Sequence, residues 1–326
     1  MNDLERIENL IDSRNKILQN IEKKIIGQKD IIDGLLIAIF AGGHVMLTGV
    51  PGLAKTLMIT TIAKTLDLDF KRIQFTPDLM PSDIIGTEIL EQNISTGEKE
   101  FRFIKGPIFS NIILADEINR TPPKTQSALL QSMQEKEVSA GNVTYKLDEP
   151  FFVMATRNPI EQEGTYPLPE AQLDRFLFNL VIDYPDHISE VNIVKDTTSG
   201  VEVDVEKVLS KSDIVEIQDL VKRIPVTDTI VEFAVDIVRR TRPDQENSPK
   251  FTKETVSWGA GPRAGQFLVI AAKINAVFNG RKTPEKSDIL KVAKPVLRHR
   301  IIPNFRAEAE GITPDKIIEE IIRSLN

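Results

Sequence analysis

One passage constrains this chain more than any other: the apolar run Val45-Met46-Leu47, then Gly49-Val50-Pro51-Gly52-Leu53-Ala54-Lys55-Thr56, then helix-like text from Lys55 to Leu66. A short apolar run bounded by glycine suits a strand buried on both faces, and a small-residue loop running from such a strand into a helix is the setting of a phosphate-binding loop. Small residues let backbone N–H groups converge on phosphate oxygens at the positive end of the helix. In that setting Lys55 pairs with the β- and γ-phosphates and the Thr56 hydroxyl ligates Mg²⁺. The usual loop has glycine just before the lysine, where this chain has Ala54. On this passage alone, a glycine turn before an ordinary helix is the plain alternative.

A second passage weakens that alternative. Ile112-Ile113-Leu114-Ala115-Asp116-Glu117 reads as a buried strand ending in two carboxylates. After a phosphate loop, such a pair lets Asp116 complete the Mg²⁺ shell and Glu117 polarise an attacking water. Phe151 to Met154 is another buried strand, and Asn158 beyond it can reach a γ-phosphate or the water, or simply turn the chain before Pro159. Leu173-Asp174-Arg175-Phe176 and Gly261-Pro262-Arg263-Ala264 each offer an arginine, a residue type that most often makes surface or structural ion pairs.

Short apolar strands alternating with helices predict a parallel α/β sheet. An amphipathic helix opens the chain to about Lys24, and Ile31 to Phe40 is a second. Ile89 to Ile104, around Ser95-Thr96-Gly97-Glu98, and Val138 to Leu147, around Ala140-Gly141-Asn142, predict inserted β-hairpins. Beyond Tyr184-Pro185-Asp186 strand signals stop, and helices are expected over 213–224, 227–240, 264–278, 284–300 and 314–325. Thr283-Pro284 and Thr313-Pro314 both read as a capping hydroxyl before a first-turn proline. The expected division is an α/β nucleotide-binding core over 1–186 and an all-helical lid over 187–326.

Composition closes off other classes. The 326 residues contain no cysteine, which removes thiol nucleophiles, thiolate metal sites and disulfides. A net charge of −7 lacks the basic field that dominates duplex-DNA binding, so no nucleic-acid partner is expected. The charged N-terminus carries no secretory signal, and the longest apolar stretch, near Leu35 to Ala41, falls far short of a bilayer span of about 20 residues. A cytoplasmic protein with no transmembrane segment is the expectation.

In order, the phosphate loop, Asp-Glu strand, polar strand end, Leu-Asp-Arg-Phe and Gly-x-Pro-Arg resemble an AAA+ ATPase. Ala-Asp-Glu-Ile-Asn-Arg and the stretch from Asn158 to Phe176 narrow the resemblance to the MoxR family, in which alanine before the loop lysine is usual. The resemblance implies that Asn158 is sensor 1, Arg175 a finger acting on the neighbouring subunit, and Arg263 sensor 2. It places Ile26 and Gly27 beside adenine. It also implies ATP and Mg²⁺ as cofactors, a ring-shaped homo-oligomer, a hexamer by family, that remodels or activates a protein client, and a partner carrying a von Willebrand factor A domain. Arg157 departs from the family, where glutamine is common, and so does Gly261, often serine. A DNA-translocating motor and a low-turnover nucleotide-gated scaffold are the rival readings; the charge balance speaks against the first, and Glu117 with Arg175 against the second.

Other residues carry simpler expectations. Phe101 and Phe103 alternate along a hairpin and are expected to pack one face of it. His44 after two glycines reads as a turn residue, and Arg298-His299-Arg300 as a basic helix end complementing the dipole.

Overall fold

The computed structural model describes residues 3–92, 99–141, 143–160, 164–198, 200 and 204–325. The centre of the first hairpin (Ser95 to Glu98), Asn142 in the second, and residues 161–163 lie outside the described residues. From the N-terminus come α1 (Asp3–Glu22), α2 (Lys29–Phe40), β1 (Val45–Thr48), α3 (Lys55–Thr65), β2 (Phe70–Gln74) and α4 (Pro81–Ile85). A hairpin of β3 (Gly86–Gln92) and β4 (Lys99–Lys105) leads to β5 (Ile112–Asp116) and α5 (Pro123–Glu135). A second hairpin, β6 (Glu137–Ala140) and β7 (Val143–Lys146), leads to β8 (Phe152–Arg157), α6 (Glu170–Leu173) and β9 (Phe178–Val181). Then follow α7 (His187–Thr198), α8 (Lys211–Arg223), α9 (Asp228–Arg240), α10 (Lys250–Thr255), β10 (Val256–Trp258) and α11 (Pro262–Phe278). The chain closes with α12 (Lys286–Leu297), β11 (Ile302–Pro303), α13 (Phe305–Ala309) and α14 (Pro314–Arg323).

Five strands form one parallel sheet in the order β2-β5-β8-β1-β9. The two-residue period of a strand divides their side chains between two faces. Val45, Leu47, Ile112, Leu114, Phe152 and Met154 join an apolar cluster with α1, α2 and α3. Met46, Ile113, Ala115, Val153 and Ala155 join another, built with Leu129, Leu130 and Met133 of α5. Both faces are covered, so the strands read as continuous apolar runs. The first cluster continues through α8, α9, α11, α12 and α14, so the helical region shares its core with one face of the sheet. Burying a side chain such as Leu35 or Ile39 of α2 stabilises this arrangement by roughly 1.5–3 kcal/mol each.

Both hairpins form as expected, antiparallel and outside the main sheet. Phe103 stacks on Tyr145 of the other hairpin with ring centroids 4.7 Å apart, and Phe109 meets both rings edge-on. Phe101, on the same face, stays 70% exposed. The packing expectation therefore describes Phe103 and not Phe101.

The structure corrects several details. Strand β9 and helix α7 carried too weak a pattern to be expected: β9 contributes four residues, one of them Asn179, whose buried Oδ1 accepts from Thr48 Oγ1 at 2.9 Å. The helical region also contains a small antiparallel pair, β10 with β11. Thr313 caps α14 by accepting from Lys316 N–H, but Thr283 does not start α12. That helix begins two residues beyond Pro284, because buried Asp288 accepts from Glu285 N–H and holds Asn275 and Arg281 as well.

His44 is a buried connector rather than a turn residue. Its Nδ1 accepts from Val153 N–H at 3.1 Å, which leaves Nε2 to donate to the Met133 carbonyl at 3.1 Å. Burial pulls the ring down from near 6.5 to about 4. Because the folded value lies below the unfolded one, the neutral ring contributes stability above pH 6.5, and that contribution fades as pH falls toward 4. It amounts to about 3 kcal/mol at most. Chemical denaturation between pH 7 and pH 4.5 is expected to show a steeper loss of stability for the parent than for His44→Gln; equal slopes would exclude His44 as the source.

Candidate functional site

The carboxyl ends of β1, β5 and β8 lie side by side, and the polar residues that end them converge there. A cavity of about 400 Å³ is lined by Pro51, Gly52, Ala54, Lys55, Thr56 and Leu57 from the loop and α3, with Arg72, Asp116, Glu117, Thr156 and Asn158 opposite. Position at the C-terminal edge of a parallel sheet is where open α/β folds bind ligands.

The loop is shaped by backbone conformation. Gly49 must be glycine because a Cβ there would stand 2.3 Å from Ile182 Cγ2 and 2.6 Å from the Ile182 carbonyl. Gly52 has φ +85° and nothing within 4 Å of where a Cβ would be. Ala54 sits at φ +53°, a left-handed conformation costing roughly 1–2 kcal/mol for a residue with a Cβ. Glu117, at φ +58°, and Gln28, also at +58°, are strained in the same sense. Strain of this kind persists where surrounding structure enforces it, and it gathers at functional sites. Lys55 donates to the Gly49 carbonyl, within its own loop. Burial pulls its ammonium below the usual lysine range, against the opposing pull of Asp116 and Glu117.

The two carboxylates are held by residues that the sequence did not single out. Thr156 Oγ1 donates to Asp116 Oδ1 at 2.6 Å and accepts from Glu117 N–H at 2.9 Å, fixing both with one hydroxyl. Arg72 of β2 reaches Asp116 Oδ2 from Nη2 at 2.6 Å and from Nε at 3.1 Å. Gln74 Nε2 donates to Glu117 Oε2 at 3.0 Å, and Arg120 approaches the same oxygen at 3.2 Å. Asn158 lines the cavity while its Oδ1 accepts from Ile160 N–H at 3.1 Å, so it is both a site residue and a turn residue.

These residues suit a magnesium–phosphate group. A hydroxyl at Thr56 and a carboxylate at Asp116 are hard oxygen donors, and Mg²⁺ is typically held by one or two carboxylates plus substrate phosphates. Among the described residues no group of three or more His, Asp or Glu could cage a metal without such phosphates.

Not every expected residue lies in this cavity. Gly49, Val50 and Leu53 belong to the loop but do not line it. Ile26 and Gly27 precede α2; Gln28 Nε2 donates to the Asp183 carbonyl at 2.9 Å, next to the Ile182 that meets Gly49, so the segment adjoins the loop by way of the end of β9. Arg157 turns to Thr48, donating from Nε at 3.0 Å, and burial lowers its pKa. Arg175 donates to the Leu130 carbonyl of α5 at 2.6 Å. Arg263, at the start of α11, pairs with Asp174 at 3.2 Å. Arg263 thus pairs with the residue just before Arg175, and neither arginine lines the cavity at the sheet edge. Arg298 and Arg300 do not form an exposed basic end: Arg298 chelates Asp315, and Arg300 is buried against Asp174.

The same arrangement has relatives. Residues 44–178 match the ATPase family associated with various cellular activities (AAA), and residues 250–321 match the AAA lid domain. The chain is 40% identical to "Chaperone MoxR1" of Mycobacterium tuberculosis over 97% of its own length and 82% of the relative's. It is 31% identical to "Protein MoxR" of Methylorubrum extorquens, over 94% of this chain and 93% of that one. A crystal structure from Cytophaga hutchinsonii, named there as a candidate ATPase, superposes with a TM-score of 0.91 at 46% identity, covering 99% of this chain and 97% of that one.

Proposed function

The chain belongs to the MoxR family of AAA+ ATPases, and we propose on that footing that it hydrolyses ATP within a ring-shaped homo-oligomer, a hexamer by family, to remodel or activate a protein client. The observation that carries this reading is the convergence of Lys55, Thr56, Asp116, Glu117 and Asn158 on one cavity at the sheet edge. Lys55 and the loop amides bind the phosphates. Thr56 and Asp116 would hold Mg²⁺, which when bound would neutralise the charge that develops on the β- and γ-phosphates. Glu117 takes a proton from the attacking water, and Asn158 orients that water or the γ-phosphate. Ile26 and Gly27 border the adenine.

Arg175 and Arg263 have a different place in this reading. Arg175, whose guanidinium rests on the Leu130 carbonyl and does not line its own subunit's cavity, is the finger acting on a neighbour's nucleotide, and Arg263 is sensor 2. The division into a core over 1–186 and a lid over 187–326, a partner with a von Willebrand factor A domain, and a cytoplasmic setting belong to the same proposal. Among the described residues no helix is long and apolar enough to cross a membrane, and a relative is named a chaperone.

Lys55→Ala tests the site directly. Losing a charge-assisted contact worth about 1.5–3 kcal/mol should weaken ATP at least ~10-fold. Calorimetry that finds parental ATP affinity in this variant would remove the loop assignment, and with it the proposed ATPase.

A further inference from the structure

Arg300 is the most completely buried cation of the helical region, with a side chain only 2% exposed, and it spends its donors on the core rather than on the lid alone. It follows α12 in the chain, and its neighbour Arg298 docks the same segment by donating to the Asn179 carbonyl of β9 at 3.1 Å. From Arg300, Nε reaches Asp174 Oδ1 at 2.7 Å, while Nη2 reaches the Asp174 carbonyl at 2.8 Å and the Phe176 carbonyl at 2.6 Å. Its Nη1 bonds back to the Val296 carbonyl of α12, and its Cζ lies 5.1 Å from the centroid of the Phe267 ring of α11. The residue between the two gripped carbonyls is Arg175.

A guanidinium has five N–H donors in a fixed fork, and here they clamp one short peptide on both sides. A buried charge with its partners satisfied is rigid, since breaking any contact leaves an unpaired group away from water. The backbone carrying Arg175 is therefore tied to α11 and α12.

We propose that Arg300 is a positioning residue for ATP hydrolysis in the neighbouring subunit: it couples the lid to the peptide that presents Arg175, so the lid of one subunit sets the reach of its arginine into the next. This rests on the reading of Arg175 as a finger acting in trans.

Arg300→Lys keeps the charge but cannot hold both carbonyls and the carboxylate in a planar fork. Turnover is expected to fall about 10–100-fold, the scale of an ångström-sized misplacement of a reacting group, with ATP affinity unchanged. Mixed rings separate positioning from general damage. Arg300→Lys subunits mixed with Lys55→Ala subunits should regain activity, because an intact loop then meets a properly held Arg175. Mixed with Arg175→Ala they should gain none, because both partners fail on the same side of the interface. Rescue by Arg175→Ala instead would place Arg300 on the side of its own nucleotide and overturn the proposal. Failure with both partners would show a structural defect only, and undiminished turnover of Arg300→Lys alone would overturn it as well. If Arg300→Lys does not fold, Asp174→Asn loosens the same clamp from the core side and carries the same pair of mixtures. If Lys55→Ala and Arg175→Ala do not rescue each other, the trans reading falls and this proposal with it. If they do, while Arg300→Lys fails with Lys55→Ala, only the role of Arg300 falls.

Discussion

Glu117→Gln is expected to keep ATP and Mg²⁺ and to lose turnover by about 10²–10⁴, the usual contribution of a positioned general base. The structure explains why the two effects separate. Glu117 is held by its backbone, whose N–H donates to Thr156, while Asp116 is held by the Thr156 hydroxyl and by Arg72. An amide at position 117 keeps the volume and the contact with Gln74, so the frame around Asp116 and Thr56 stays as it is. The basicity goes, together with the charge that Arg120 pairs at 3.2 Å. Fluorescent-nucleotide binding beside phosphate release would read both quantities, and hydrolysis within a few-fold of the parent would show that another group takes the proton.

What the sequence disclosed and what it hid follow one physical rule. The strand–loop–helix passage from Val45 to Thr65 and the strand ending at Asp116 were legible because each is a local pattern, an apolar run followed within a few residues by a loop or a pair of carboxylates. The hairpins were legible for the same reason, as alternation around glycine. Arg72, Gln74 and Thr156 were not, although they fix both carboxylates, because they reach them through strand pairing: β2 and β8 flank β5, with Gln74 opposite Asp116 in register. No spacing in the chain encodes that register. His44 was misread because its partners, Met133 and Val153, come from two elements far along the chain. Arg298 and Arg300 looked like a helix end for the same reason, since Asp174, Phe176 and Asn179 are more than a hundred residues away. Family resemblance named Arg175 and Arg263, but the pairing of Arg263 and Arg300 with Asp174, the residue just before Arg175, emerged only in three dimensions.

The largest effect to be expected belongs to Arg175. Arg175→Ala should bind ATP normally and hydrolyse almost none, because an arginine finger is worth on the order of 10³–10⁵ in rate. Ground-state affinity should change little, since the finger answers charge that develops only in the transition state. In the single chain the Arg175 guanidinium donates to the Leu130 carbonyl and is no part of the cavity holding Lys55 and Glu117. On the proposed reading, a residue so placed serves the site that another subunit presents. Rings mixed from Arg175→Ala and Lys55→Ala subunits should therefore recover activity that neither has alone, at interfaces where an intact loop faces an intact arginine. Rescue should depend on mixing ratio, rising to a maximum with both variants present and vanishing at either extreme. Absence of rescue in rings shown to be mixed would refute action in trans, and a fully active monomer would remove the need for a ring at all.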